Sequence, residues 1–395
     1  MSASVPRQIK VLLLTLFVIS CQNTVKKDGN RVVTFDIKEL PEITSVKLSD
    51  LGFVDIEYIP LETTENCVIS TIQEIKVGKG YFLIIDYNKI YKFLNDGSFV
   101  AKIGTEGRGP DEFMNAHDVE IDEDNHDIYL VSAWQKKFNV YSEQGEFIRS
   151  FHCPQSTTSF QITEDGILCY NSNIMGNMVI SFNLIDTLGR TIKNFSNKYI
   201  WNRVQTSAIL NEILFYRFDN QLFKKEIYTD TIYLFDNKVF KPHLIIEHGE
   251  KLLTTAARSK YNPEYLFEKY ITQDYLFEFG DYLYYEFMYD FKIGGQNIVR
   301  GLIGSKLDNS QVLIDAGEGL INDLDGGPNI QLKTIKDNNT LIFWISSLEL
   351  KKIIKSDNFK NVTPKYPEKK IKLEKLANNL KETDNPVLIM VRLKK

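Results

Sequence analysis

Short apolar runs, each closed off by polar or turn-forming residues, recur along most of the chain. Tyr81–Asp86 (YFLIID), Ile128–Val131 (IYLV), Thr231–Phe235 (TIYLF), His243–Glu247 (HLIIE), Asp281–Tyr289 (DYLYYEFMY) and Thr340–Ile345 (TLIFWI) have strand length and are rich in β-branched and aromatic residues. Three further stretches lie over one another: Tyr91–Phe99 (YKFLNDGSF), Asn139–Phe147 (NVYSEQGEF) and, more weakly, Asn183–Thr191 (NLIDTLGRT). The first two carry an aromatic residue four places before a glycine and a phenylalanine two places after it. The third has Ile185 and Gly189 in the corresponding places. Each reads as strand, tight turn, strand. Gly97, Gly145 and Gly189 are 48 and 44 residues apart, and a hairpin unit repeating every ~40–50 residues is the mark of propeller blades. An apolar inner strand ahead of the outer hairpin, as in Tyr81–Asp86 and Ile128–Val131, completes the unit.

Two segments depart from this pattern. Lys251–Tyr270 predicts two short helices separated at Asn262-Pro263, and Ile371–Leu380 places Leu373, Leu376 and Leu380 at helical spacing. Asn385-Pro386 then stops the helix, and Val387–Leu393 reads as a last strand.

Residues 1–20 read as an export signal. Arg7 and Lys10 precede the apolar run Val11–Ile19, which is too short to span a bilayer. The run ends in Val18-Ile19-Ser20-Cys21, which resembles the lipobox of bacterial lipoproteins. That resemblance implies cleavage before Cys21 and acylation of its thiol, so the membrane is an expected partner through lipid on Cys21. Gln22 after the cysteine, by analogy with lipoprotein sorting, points to the outer membrane, facing either the periplasm or the exterior. Residues 21–30 (CQNTVKKDGN) form a polar tether, and residues 31–395 are expected to be one domain.

Composition narrows the functional classes. Hydrophobic residues make up 43% and charged residues 25%, an ordinary globular balance. The net charge of −5 becomes more negative when the two leader cations are removed, so nucleic acid is not an expected partner. Five histidines with no HExxH or close pair argue against a histidine-built metal centre, and no metal or cofactor is expected. No Gly-x-Ser-x-Gly elbow is present. Apart from Cys21, the cysteines are Cys67, Cys153 and Cys169. Their odd number leaves at least one free thiol in a single exported chain, and small buried hydrophobes are the favoured reading over a Cys153–Cys169 bridge.

Ile103–Phe113 (IGTEGRGPDEF) follows the first hairpin directly and resembles the inter-blade link of NHL-type repeats. With Tyr58–Thr64 (YIPLETT), Asp323–Gly327 (DLDGG), Asp384–Met390 (DNPVLIM) and the lipobox, the chain resembles the six-bladed β-propeller lipoproteins of gut-dwelling Gram-negative bacteria. The resemblance implies an all-β, six-bladed propeller with short helical insertions, and it carries no catalytic residues over to this chain. Six blades leave roughly 60 residues each, above the usual ~40–50, and the helical segments absorb part of the surplus.

Candidate site residues follow from the expected loops. Gly104, Gly107 and Gly109 lack the Lys-Ser/Thr of a phosphate loop and read as a sharp inter-blade turn, with Phe113 packed between blades. Arg108 on that loop is a candidate ligand contact, unless Asp111 or Glu112 pairs with it. Asp122–Asp127 (DEDNHD) lacks the glycine and glutamate of a calcium loop and reads as a hairpin turn. Trp134 and Trp201, each flanked by polar residues, are candidates for the surface. His117 and Asp325 sit on predicted strand ends or loops. A ligand is expected to touch at least one of Arg108, His117, Trp134 and Asp325. The preferred reading is a non-catalytic binding or scaffolding propeller for a glycan, a peptide or an outer-membrane protein. The alternative is a propeller-fold polysaccharide lyase or glycoside hydrolase, which a central carboxylate cluster would favour.

Overall fold

A computed structural model describes residues 32–155, 157–202 and 211–394, so the leader, Cys21 and the tether lie outside the described residues. An N-terminal segment supplies β1 (Val33–Asp36) and β2 (Phe53–Pro60). Blade 1 follows as β3 (Glu74–Gly78), β4 (Tyr81–Asp86), β5 (Lys89–Leu94) and β6 (Phe99–Lys102). Blade 2 is β7 (Asp118–Asp122), β8 (Asp127–Ser132), β9 (Lys137–Ser142) and β10 (Phe147–His152). Blade 3 is β11 (Thr157–Thr163), β12 (Gly166–Asn171), β13 (Ile180–Ile185) and β14 (Thr191–Ser196). Blade 4 is β15 (Ile213–Phe218), β16 (Gln221–Glu226), β17 (Thr231–Asp236) and β18 (Val239–Glu247). Helices α1 (Thr255–Lys260) and α2 (Pro263–Lys269) link it to blade 5, which is β19 (Thr272–Phe279), β20 (Tyr282–Met288), β21 (Val299–Ser305) and β22 (Gln311–Asp315). Blade 6 starts with β23 (Thr334–Asp337) and β24 (Thr340–Ile345). After α3 (Ser347–Lys355), α4 (Asp357–Asn361) and α5 (Pro367–Asn379) it resumes with β25 (Val387–Leu393) and closes on β2. This is the six-bladed propeller the repeat predicts, with the ring closed by an N-terminal strand in the last blade. Closure leaves no inter-blade gap along the ring.

Apolar content follows strand position. β4, second in its blade, is buried at all six residues, whereas outermost β6 alternates between half-buried and exposed. The apolar runs expected to be innermost are therefore the second strands. The innermost strands, such as β3 and β7, face the propeller axis and carry Glu74, Lys76, Asp118 and Glu120. The cores lie between neighbouring blades, and Phe113 is fully buried between blades 1 and 2 as expected. Cys153 and Cys169 share the core between blades 2 and 3 without a bridge, and Cys67 is also buried and free.

The repeated glycines have a physical cause. Gly97, Gly145 and Gly189 sit at φ +89°, +87° and +82°, the left-handed region that favours glycine. Each also lies against the end of the preceding blade's outer strand. A Cβ there would come within 2.1 Å of the Pro60 carbonyl oxygen, 2.4 Å of that of Lys102 and 2.8 Å of that of His152. Blade 4 makes the same turn with Asn237 and Lys238, both at positive φ, which is why the repeat fades from the sequence there.

The N-terminal segment also forms a strap. β1 pairs in parallel with β18 as a fifth strand of blade 4, Ile43 bridges to Leu313 on β22, and Lys47 bridges to Ile321 before the chain enters β2. Phe35 and Ile37 of the strap are fully buried, and the ring of Phe35 fills the space a side chain at Gly304 would need.

Candidate functional site

Antiparallel blades place the second-to-third-strand loops and the inter-blade links at one end, and the two kinds of tight turn at the other. Arg108, His117, Trp134 and Asp325 all fall on connections of the first kind. The structure brings two of them together. Trp134 is 71% exposed, and its ring meets that of His117 edge to face at 6.1 Å. Asn115 holds this corner: its Oδ1 accepts from the Ser132 hydroxyl (3.1 Å) and from Trp134 N–H (3.4 Å). The indole is thus presented on a hydrogen-bonded platform. Tyr87, Ile200 and Ile293 are also more than half exposed at this end.

Arg108 is exposed and forms no ion pair among the described residues. Glu112, a proposed partner, instead accepts from Gly109 N–H at 2.7 Å. Trp201 corrects the sequence expectation: it is 5% exposed, because the Arg258 guanidinium stacks 4.3 Å from its ring centre and covers it.

A carboxylate cluster does occupy the axis, built from residues the sequence reading did not select. Lys76 Nζ on β3 lies 2.7 Å from Glu74, 3.2 Å from Asp118 and 2.8 Å from Glu120. Asp118 also accepts from the Ser159 hydroxyl (2.8 Å) and Phe160 N–H (2.9 Å), and Glu120 from Gln161 Nε2 (2.6 Å). The ammonium ties blade 1 to blade 2, and Asp118 and Glu120 in turn tie blade 2 to blade 3. Surrounding protein holds the Glu74 and Glu120 carboxyls above their usual range, although about half of the Glu74 side chain remains reachable by solvent. Burial works against the Lys76 charge, but the three carboxylates outweigh it and keep the amine protonated.

Asp325 is fully buried and lies apart from Trp134, on the link from blade 5 to blade 6. Its Oδ1 accepts from Tyr58 OH (3.2 Å), Asn322 Nδ2 (2.7 Å) and Gly327 N–H (2.9 Å), while its Oδ2 has no partner. Burial pushes its carboxyl above the usual range. It lines a cleft of about 420 Å³ between β2 and α5. β2 contributes Asp55 through Tyr58, α5 contributes Lys369, Lys372, Leu373 and Leu376, and Arg392 closes the cleft from β25. Asp55 pairs with Lys369 and with Arg392 (2.9 Å), and Glu57 pairs with Arg392 (2.5 Å).

Between blades 4 and 5, buried His248 lies between Asp230 (Nδ1···Oδ1, 2.6 Å) and Tyr285 OH (Nε2···O, 3.2 Å). Burial, reinforced by nearby Lys225, pushes the imidazole down to about 4. Among the described residues no helix is long and apolar enough to cross a membrane.

The chain belongs to the family described as Domain of unknown function (DUF4934), whose model matches residues 32–392. No curated protein matches it. Two solved structures share the fold. A Bacteroides fragilis protein described as exported superposes with a TM-score of 0.68 at 19% identity, over 92% of this chain and 100% of that one. A Bacteroides vulgatus member of the DUF4221 family superposes with a TM-score of 0.51 at 10% identity, over 87% of this chain and 98% of that one.

Proposed function

We propose that this family member is an exported, lipid-anchored binding propeller of the cell envelope. In this reading Cys21 carries the anchor at the outer membrane, and the end of the ring bearing the long loops holds a glycan, peptide or protein partner without chemical turnover. The observation that carries the reading is the Trp134–His117 corner, an indole 71% exposed yet held on a fixed platform. A large, rigid, amphipathic ring presented in this way suits recognition. Export is supported by the leader and by the description of the Bacteroides fragilis protein. The axial carboxylates, which would speak for a hydrolase, are each engaged by Lys76, so the reading gives them the work of joining blades.

Two measurements test this. Acyl labelling should mark the native protein and disappear in Cys21→Ala; labelling that survives the substitution refutes the anchor. Binding to a panel of envelope polysaccharides and peptides should weaken about tenfold or more in Trp134→Ala, the loss of a well-placed aromatic anchor. Sustained cleavage of any polysaccharide, abolished by Glu120→Gln, would replace binding with catalysis.

A further inference from the structure

The cleft at the rim of blade 6 has a shape that a small-molecule pocket does not explain. Four consecutive residues of β2, Asp55 to Tyr58, line it. Side chains alternate between the faces of a strand, so a cavity lying on one face meets every second residue. A cavity that meets four in a row runs along the strand's edge. β2 is the outermost strand of its blade and is paired on one side, to β25. The Ile56 carbonyl points away from β25, to Lys369 Nζ at 3.0 Å, whereas the Leu61 N–H points the other way, to the Pro386 carbonyl at 3.1 Å. With a strand period of two, Tyr58 presents its N–H and C=O on the same outer edge as Ile56.

The molecule already shows what such an edge accepts. On blade 4 the corresponding outer edge is taken by β1, an extended segment added in parallel to β18. The chemistry of the blade 6 cleft says what kind of segment would follow suit. Asp55 and Glu57 are answered by Lys369 and Arg392, which leaves Lys372 with no carboxylate among the described residues. The helical insert containing it, residues 347–379, has nine lysines against four acids on a chain of net charge −5. Leu373 and Leu376 give the cleft an apolar wall.

We propose that the free edge of β2 binds an extended acidic peptide segment of a partner protein, which adds as a fifth strand to blade 6 beneath α5. An acidic side chain of the segment meets Lys372, and an apolar one packs on Leu373 and Leu376. Main-chain pairing supplies affinity and the two side-chain positions supply selectivity. The proposal is independent of what the Trp134 end binds.

The test uses the full chain and an acetylated five-residue peptide alternating aspartate and leucine, titrated by calorimetry. Lys372 is exposed, so Lys372→Glu preserves the fold. That change should weaken binding about tenfold, and Lys352→Glu, an equally exposed lysine outside the cleft, less than about twofold. Methylating the peptide's backbone nitrogens one at a time should abolish binding at alternate positions and be tolerated at those between, a pattern that recognition of charge alone does not produce. No binding at about 1 mM peptide, equal responses to the two charge reversals, or indifference to N-methylation each overturns the proposal.

Discussion

The strap makes a quantitative claim about Phe35. Its ring is fully buried in the core shared by the strap and blades 4 to 6. Truncating a fully buried phenylalanine to alanine, with the lost transfer free energy and the cavity taken together, should cost about 3–5 kcal/mol. The opposite surface sharpens the claim. A Cβ on Gly304 would lie 2.4 Å from the Phe35 ring, while the Gly304 backbone is not in the positive-φ region. Gly304→Ala alone should therefore cost about 1–3 kcal/mol through overpacking. In the double variant the new methyl enters space the ring has left, so the combined loss should fall about 1–2 kcal/mol short of the sum. Urea denaturation followed by tryptophan fluorescence measures the global term, and amide exchange at residues 33–36 and 244–247 measures the strap itself. If Phe35→Ala shifts global stability by less than about 1 kcal/mol while the strap's amides exchange freely, the strap opens on its own and is not part of the cooperative ring. Additive losses in the double variant would refute the contact between ring and glycine.

Three further outcomes are expected. Burial lowers His248 from 6.5 to about 4 in the folded protein, so between those values the unfolded chain binds the extra proton; stability is complete above about pH 6.5 and falls by up to ~3 kcal/mol as the pH drops to about 4, and urea midpoints should show a flatter profile in His248→Gln. Lys76→Met leaves three carboxylates facing each other at the axis and should cost about 3–5 kcal/mol at pH 7, with part regained on acidification as Glu74 and Glu120, whose carboxyls burial raises, take up protons; a loss under 1 kcal/mol in the same measurement would show that the cluster contributes little. Gly145→Ala must hold positive φ and press on the Lys102 carbonyl, so its thermal midpoint should fall by the equivalent of at least ~2 kcal/mol, whereas Gly80→Ala, at positive φ in open space, should lose only about 1 kcal/mol.

What the sequence revealed and what it hid divides along physical lines. The limits of β4, β24 and β25 can be read to the residue, because strands packed between two blades carry a near-continuous apolar run broken only at their ends. The innermost strands escape such a reading, since Lys76, Asp118 and Glu120 face the axis and interrupt the apolar run. α3 was also missed, although Ser346 and Glu349 form the start of a capping signature and the Ser346 hydroxyl accepts from Glu349 N–H. Trp201 looked exposed from its polar neighbours in sequence, but the residue that covers it, Arg258, comes from the link after blade 4. The cleft joins residues 55–58, 325, 369–376 and 392. Of its lining only Asp325 was among the site residues selected from sequence, because the others come from a strand, a helix and a last strand far apart in the chain.

The outer rim draws these observations together. An unpaired outer strand is a template for another chain, and a propeller has one per blade. Here the chain covers the rim unevenly. β1 takes the edge of blade 4, the strap crosses blade 5 at Leu313, and α5 lies over blade 6. Among the described residues blades 1 to 3 carry no such cover, and their outer strands β6, β10 and β14 instead mix half-buried and exposed residues and include Lys102, Arg149 and Lys193. Charged edges of this kind discourage strand addition, whereas on β2 the charges of Asp55 and Glu57 are answered by Lys369 and Arg392. The covered half of the rim is therefore where the fold permits an extended segment to dock, and blade 4 shows one in place. On blade 6 the cover is incomplete: a gap of about 420 Å³ lies between α5 and the edge, and Lys372, one of its two lining lysines, has no carboxylate partner among the described residues. A cover that served only to block aggregation would close on the strand. One that leaves a lined gap along four residues selects what may enter it.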